Sequence, residues 1–296
     1  MPTALITGTS TGIGLETALH FANQGYRVFA GARKPESVKA HPNIVPVQVD
    51  VDQGASVHAC VAEVLKNAAA IDVLVNNAGI GIGGAIELVP LEKVRALFET
   101  NFFGAVRMMQ AVLPSMRSRR SGTIVNVSSI MGHTNLGCHG FYAATKHALA
   151  AASEALAIEA KPFGIRVAII EPGVVLTPIW TKADPAMPAG YPYPQALGRL
   201  YQLFGAQMDG GTMPDFVARA ILDAVREGCT KLRYPVGADA EVLAAARDRM
   251  TAAEWAAILA EEDEVKFLAG AEAAFGADLC HAPSLNKRLL SKKSVA

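Results

Sequence analysis

Short apolar runs alternating with stretches patterned for helices constrain the fold of this chain more than any other feature. Residues 3–7, 26–30, 44–51, 71–79, 123–129 and 164–170 read as strands, and residues 15–24, 57–67, 91–116 and 141–161 as helices. Strands and helices in alternation predict an α/β fold, a doubly wound parallel sheet of the Rossmann type with helices on both faces. Ligands of such sheets sit at the carboxyl ends of the strands. Gly8, Arg33, Asp50, Asn77 and Ser129 all fall at such ends. A chain of 296 residues fits one large domain better than two complete ones. We place the body of that domain at residues 1–240, with a loop region at 178–214, and a helical extension of the same domain at 241–296.

The first strand, Thr3-Ala4-Leu5-Ile6-Thr7, meets the glycine-rich turn Gly8-Thr9-Ser10-Thr11-Gly12-Ile13-Gly14, after which a helix begins. Glycines there let backbone N–H groups approach a pyrophosphate, and a helix N-terminus adds partial positive charge. The spacing is GxxxGxG rather than GxGxxG, and a plain turn would also use these residues. The second strand ends in Gly31-Ala32-Arg33-Lys34-Pro35. An NAD site places a carboxylate near this point to hold the ribose hydroxyls. Ala32 followed by two cations suits the 2′-phosphate of NADP instead, with a solvated basic loop as the other reading.

Tyr142 and Lys146 lie four residues apart in a segment rich in Ala, Leu and Glu, free of Gly and Pro until Pro162. On a helix that spacing puts both on one face. A neighbouring ammonium favours the phenolate, lowers the phenol's pKa and fits it for general acid/base work. A Tyr and a snorkelling Lys on a helix surface would show the same spacing. Within the stretch 91–116, Asn101 interrupts the helical pattern at an unfavourable place for Asn, which hints at a role, although a solvent-facing Asn is the plainer reading.

Composition narrows the partner. With 27 basic and 27 acidic residues the formal net charge is +0, so no overall field favours nucleic acid or an anionic membrane surface. A small-molecule partner follows. Cys60, Cys138, Cys229 and Cys280 form no CxxC pair, and the seven histidines show no ligand spacing, so no metal is expected. No apolar run reaches the roughly 18 residues of a membrane span, and the first strand begins almost at Met1. The expected location is cytoplasmic.

Taken together, Thr7-Gly8…Gly12-Ile13-Gly14, Asp50-Val51, Asn76-Asn77-Ala78-Gly79, Asn101, Ser129, Tyr142-(x)3-Lys146 and Pro172-Gly173…Thr177 resemble, in order, the motifs of the short-chain dehydrogenase/reductase family. The resemblance runs through about residue 180, with a looser match at 232–239. The stretch 71–172 looks most like the branch of 17β-hydroxysteroid and retinol dehydrogenases. The resemblance implies that Tyr142 exchanges a proton with the reacting oxygen. Lys146 would lower the Tyr142 pKa and bind the nicotinamide ribose, Ser129 would hydrogen-bond the reacting oxygen, and Asn101 would hold a water linking Lys146 to solvent. By the same resemblance Gly8, Ser10, Gly12, Ile13, Gly14, Arg33, Lys34, Asp50, Val51, Asn77, Ala78, Gly79, Pro172, Gly173, Val175 and Thr177, with Tyr142 and Lys146, hold the cofactor. Thr177 would anchor its carboxamide, and the chain would assemble as a homodimer or homotetramer.

Residues 178–214 carry many aromatic and aliphatic side chains between prolines and glycines, with a short helix expected at 195–207. Apolar side chains in a loop after the core suit a hydrophobic substrate, although a packed excursion reads almost as well. Trp180, Tyr201 and Phe204, with His139, Ser129 and Tyr142, are the expected substrate contacts; His139 and His133 are expected as polar loop residues rather than catalysts. A helix is expected at 215–227, a last strand at 231–237, and a helix opened by the capping box Thr251-Ala252-Ala253-Glu254. Glu261-Glu262-Asp263-Glu264 reads as a solvated face. The expected activity is NADP(H)-dependent interconversion of a secondary alcohol and a ketone on a bulky, steroid- or retinoid-like molecule. An NADPH sensor without turnover, or a reductase of small carbonyl compounds, is the alternative.

Overall fold

A computed structural model of the chain describes residues 1–179, 190–208 and 211–275. Seven strands, β1 (Thr3–Thr7), β2 (Arg27–Ala32), β3 (Ile44–Gln48), β4 (Val73–Asn76), β5 (Gly122–Val127), β6 (Ile165–Pro172) and β7 (Arg233–Val236), form one sheet in the order β3-β2-β1-β4-β5-β6-β7. Every pairing is parallel. The strand order reverses between β1 and β4, which opens a crevice at their carboxyl ends.

Neighbouring residues of β1 face opposite sides of the sheet, and both sides are buried. Leu5 packs with Phe29, Leu74 and Ile124 under α2 (Gly54–Asn67), α4 (Ala105–Arg119) and α5 (Gly140–Ala160). Ala4 and Ile6 pack on the other side under Phe21 of α1 (Gly12–Asn23) and Val217 and Ile221 of α7 (Pro214–Arg226). This two-sided burial is the doubly wound arrangement that the alternation of runs predicts.

Between α3 (Leu91–Phe98) and α4 the chain makes a π-helical turn over Glu99–Gly104, where the sequence shows an interrupted helix. The wider turn carries Asn101 into the interior, where it is buried. Further along come α6 (Pro194–Met208), α8 (Ala238–Arg249), α9 (Ala252–Ala260) and α10 (Glu264–Phe275). The expected capping box opens α9, with Thr251 N–H donating to Glu254 Oε2 at 2.7 Å and Glu254 N–H to Thr251 Oγ1 at 3.2 Å.

The last helices build a third core with α6, in which Leu203 and Phe204 meet Leu243, Trp255, Phe267 and Phe275. Glu264 is exposed, as expected of the solvated face at 261–264, yet it pairs with Arg199 of α6 and accepts from Gln202 Nε2 at 2.6 Å. Arg199 is drawn to it because its guanidinium is buried over the Phe267 ring, 3.7 Å from the centroid, and an enclosed cation requires a counter-charge. No helix among the described residues is long and apolar enough to cross a membrane.

Candidate active site

β1 hands the chain to Gly8, whose φ of +71° is a left-handed conformation that favours glycine. α1 follows directly, so its first N–H groups face the crevice. A side chain at Gly14 would collide with the carbonyl oxygen of Gly8 and with Asn77 Nδ2. Glycine there lets α1 lie close against the strand end, and Gly14 packs behind the site rather than lining it. Asn77 closes the same corner, its Nδ2 donating to Thr7 O at 3.0 Å and Gly8 O at 3.2 Å. Thr7 Oγ1 accepts from the N–H groups of Asn77 and Ala78.

From this corner a cavity of 340 Å³ runs along the strand ends to Phe204 on α6. Gly8, Ser10, Gly12, Ile13, Arg33, Asp50, Val51, Asn77, Ala78, Gly79, Pro172, Gly173, Val175 and Thr177 all line it. Lys34 does not: its side chain is exposed and forms no part of the wall, and its carbonyl oxygen accepts from Ser37 Oγ. Asp52 and Thr100 also line the cavity and were not foreseen. Thr100 Oγ1 donates to Asp52 Oδ2 at 3.0 Å, while burial raises the Asp52 pKa. Their one sequence signal is Asp52 standing just past a strand end.

The glycine turn and the Arg33 end of β2 could hold a dinucleotide's phosphates, since the crevice combines helix N–H groups, close backbone approach and a guanidinium with no carboxylate at Ala32. No cluster of metal-binding side chains exists among the described residues.

At the other end of the cavity, beyond β5, Ser129, Tyr142 and Lys146 come together. Ser129 Oγ accepts from Met131 N–H at 3.1 Å and donates to Pro172 O at 3.5 Å, which ties the end of β5 to the end of β6. Lys146 is buried, its Nζ donating to Val127 O at 3.0 Å and lying 5.7 Å from the centroid of the Tyr142 ring. Burial pushes the Tyr142 phenol up to about 12, against the opposing hydrogen bond with Ser129. Burial also brings Lys146 down to about 8. The expected lowering of the Tyr142 pKa by Lys146 does not show here, because desolvation outweighs the opposing hydrogen bond with Ser129.

Asn101 sits behind the wall rather than in it. Its Oδ1 accepts from Ile80 N–H at 2.8 Å, and its Nδ2 donates to Ile80 O at 3.0 Å and Thr145 Oγ1 at 3.2 Å. The side chain thus fixes the 79–82 loop against α5. A Cβ built on Gly79 would stand 3.3 Å from Asn101 Oδ1 and 3.8 Å from Lys146 Nζ, so the π turn and α5 converge on one point.

The expected substrate contacts divide. His139, the residue before α5, and Phe204 both line the cavity, and the His139 ring lies 4.7 Å from the Tyr142 ring and 6.0 Å from that of Phe204. Tyr201 is 56% exposed and lines nothing in the cavity, because α6 is amphipathic and turns Leu200, Leu203 and Phe204 inward. Trp180 lies outside the described residues. Ile80 and Ile82 add apolar wall that the sequence did not single out.

Comparison with known proteins matches residues 2–188 to the family described as short chain dehydrogenase. A 3-ketodihydrosphingosine reductase of Bacteroides thetaiotaomicron is 46% identical over 172 residues, 57% of this chain and 62% of that protein. The uncharacterized oxidoreductase YusZ of Bacillus subtilis is 35% identical over 271 residues, 86% of this chain and 96% of that protein. Human retinol dehydrogenase 8 is 41% identical over 187 residues, 59% of each chain. The matches thus span less than two thirds of the reductase and of the retinol dehydrogenase. Among solved structures, a short-chain dehydrogenase from Streptomyces avermitilis superposes with a TM-score of 0.76 at 36% identity, covering 82% of this chain and 90% of that one. A short chain dehydrogenase from Burkholderia cenocepacia in complex with NADP superposes at 0.69 with 27% identity, covering 84% and 93%. Matched by the family over residues 2–188 and by YusZ along almost its whole length, the chain belongs to the short-chain dehydrogenase/reductase family of oxidoreductases.

Proposed function

We propose that this oxidoreductase uses NADP(H) to interconvert a secondary alcohol and a ketone on a bulky, largely apolar molecule. The observation that carries the reading is one continuous cavity with the glycine cradle and Arg33 at one end and Ser129, Tyr142 and Lys146 at the other. A dinucleotide laid along it would bring its nicotinamide toward Tyr142. The NADP complex of the Burkholderia protein and the names of the retinol and 3-ketodihydrosphingosine enzymes support the cofactor and the apolar substrate class.

Held by the turn at residues 8–12, Arg33 and Thr177, a nicotinamide nucleotide would supply or accept the hydride at the carbinol carbon. Tyr142 then gives its phenolic proton to the developing alkoxide, or takes it from the alcohol in reverse. Ser129, its Oγ held by the Met131 N–H, turns its one O–H from Pro172 O to the same oxygen and stabilises charge where it develops. Lys146 stands within reach of the proton-donating phenol, and Asn101 positions the loop that walls both. Ile82, Met131 and Phe204 exclude water from the reacting centre.

The test is NADPH oxidation across steroid ketones, retinal, aliphatic ketones and sugars, with Tyr142→Phe alongside. The variant should lose roughly 10²-fold or more of turnover, the share expected of a general acid, while binding NADPH as the parent does. Equal activity in variant and parent would overturn the mechanism. NADPH binding without turnover of any carbonyl would make the protein a sensor instead.

A further inference from the structure

Among the described residues, five buried side-chain atoms have no hydrogen-bond partner: Asp52 Oδ1, Asn76 Oδ1, Arg119 Nε, His139 Nδ1 and Arg199 Nε. Only Asp52 and His139 line the cavity, and only His139 lies beside the proposed reacting group. A buried polar atom left unpaired costs about 1–3 kcal/mol, so each one in a folded protein calls for an explanation. The ring gains no charge from its position: burial brings the His139 pKa down to about 4, leaving a neutral imidazole with one donor and one acceptor.

The surroundings define what such a ring could read. His139 precedes Tyr142 by one helical turn, and its ring centroid stands 4.7 Å from that of Tyr142. An atom two or three bonds from an oxygen held at the phenol falls within reach of the imidazole. The charged residues on the cavity wall are elsewhere: Arg33, Asp50 and Asp52 follow β2 and β3 at the far side of the sheet, and Lys146 is engaged by Val127 O. Beside His139 stand the rings of Tyr142 and Phe204, and the wall also carries the apolar Ile82 and Met131.

We propose that His139 is a specificity-determining residue that hydrogen-bonds a second, uncharged polar group on the substrate. The preferred substrates are then ketones bearing a hydroxyl or carbonyl oxygen close to the reacting carbon, on an otherwise apolar skeleton. The inference rests on the reading of Tyr142 as the group that meets the reacting oxygen. It goes further by assigning a chemical class, because a plain hydrocarbon ketone would leave the imidazole unpaired in the closed complex.

The experiment compares an unbranched β-hydroxy ketone with the unsubstituted ketone of the same length and carbonyl position, in the parent, His139→Phe and His139→Gln. The parent should favour the hydroxy ketone in kcat/KM by about tenfold, the equivalent of one neutral hydrogen bond. His139→Phe should bring that ratio near unity, whatever its effect on the two ketones alike, and His139→Gln should keep part of the preference. The imidazole ¹⁵N resonance of His139, followed in the NADPH-loaded Tyr142→Phe variant, should move with the hydroxy ketone and not with the plain one. A parent without the preference, a ratio unchanged in His139→Phe, or a resonance that ignores both ketones overturns the proposal. Loss of turnover with both ketones in the parent, with the resonance still responding to the hydroxy ketone, would count against the enzymatic reading and leave the recognition standing.

Discussion

Lys146 Nζ hydrogen-bonds the Val127 carbonyl at 3.0 Å and stands 5.7 Å from the centre of the Tyr142 ring, so the two groups expected to act together are neighbours whose charges are both suppressed by burial. The ammonium is the costlier of the two near neutrality. Its pKa is brought down to about 8 from an ordinary 10.5, which means the folded chain holds this proton less tightly than the unfolded one. Stability therefore rises with pH between about 8 and 10.5 on account of Lys146.

Tyr142 acts in the opposite sense and at higher pH, since a phenol raised from 10.0 to about 12 makes stability fall as pH climbs through that interval. Urea unfolding of the parent and of Lys146→Met, from pH 7 to 10, should show the parent gaining on the variant above pH 8. Parallel curves would mean that Lys146 is not desolvated in the cofactor-free protein. Loading NADPH should shrink the difference if the cofactor supplies partners for the ammonium.

Cofactor choice separates two adjacent cations. Arg33 lines the cavity at the end of β2, whereas Lys34 is exposed and does not. NADPH should bind more tightly than NADH by about 10- to 100-fold, at about 1.4 kcal/mol per tenfold. Arg33→Ala should erase most of that ratio, and Lys34→Ala should leave it within about twofold. Fluorescence titration of both nucleotides decides the matter, and equal affinities in the parent would remove Arg33 from the site.

The packing of α6 against the C-terminal helices offers a stability test. Arg199 Nη2 donates to Glu261 O at 3.1 Å, its guanidinium pairs with Glu264, and its plane covers Phe267. Arg199→Ala removes all three links between α6 and the C-terminal helices. It should lower stability by about 2 kcal/mol or more, since a buried network loses its centre. Arg199→Lys should recover little, because an ammonium neither stacks nor forks in the same way. Thermal unfolding reads the first effect, and a raised KM for bulky ketones in both variants reads the displacement of Phe204. A melting point within a degree of the parent would show that the extension is not held through Arg199.

Much of the framework is legible from the chain because it rests on period and spacing. The six apolar runs become β1 to β6 with ends shifted by a few residues, and Gly8 and Asn77 meet where β1 and β4 diverge. What escapes is whatever depends on which way a side chain turns. Nothing local distinguishes Arg33, which lines the cavity, from Lys34, which does not, nor Tyr201 from Phe204 until α6 has a core to face. Asn101 is legible as an oddity in a helix, yet its partner Ile80 is remote in sequence and visible only once the π turn folds over the loop. The direction of the Tyr142 pKa shift escapes for the same reason: spacing reports proximity to Lys146, while desolvation is a property of the assembled site.

Phe204 gives the sharpest test of substrate size. It is 8% exposed, lies at the cavity end beside His139, and belongs to the helix that the C-terminal core holds in place. Its ring offers the cavity apolar surface, and a full aromatic contact is worth about 1.5–3 kcal/mol at roughly 25 cal/mol per Å² buried. A small ketone bound at Ser129 and Tyr142 would touch little of that surface, whereas a steroid- or retinoid-sized ketone would have to extend toward it. Phe204→Ala should accordingly lower kcat/KM for a bulky apolar ketone by about 10- to 100-fold and for a small aliphatic ketone by less than about threefold. Tyr201→Ala, on the exposed side of the same helix, is the control and should leave both substrates alike. Equal losses for small and bulky ketones in Phe204→Ala would show that the ring merely packs α6 against the C-terminal helices, and a parent that works best on small polar carbonyls would end the bulky-substrate reading while leaving the claims about Tyr142 and Arg33 intact.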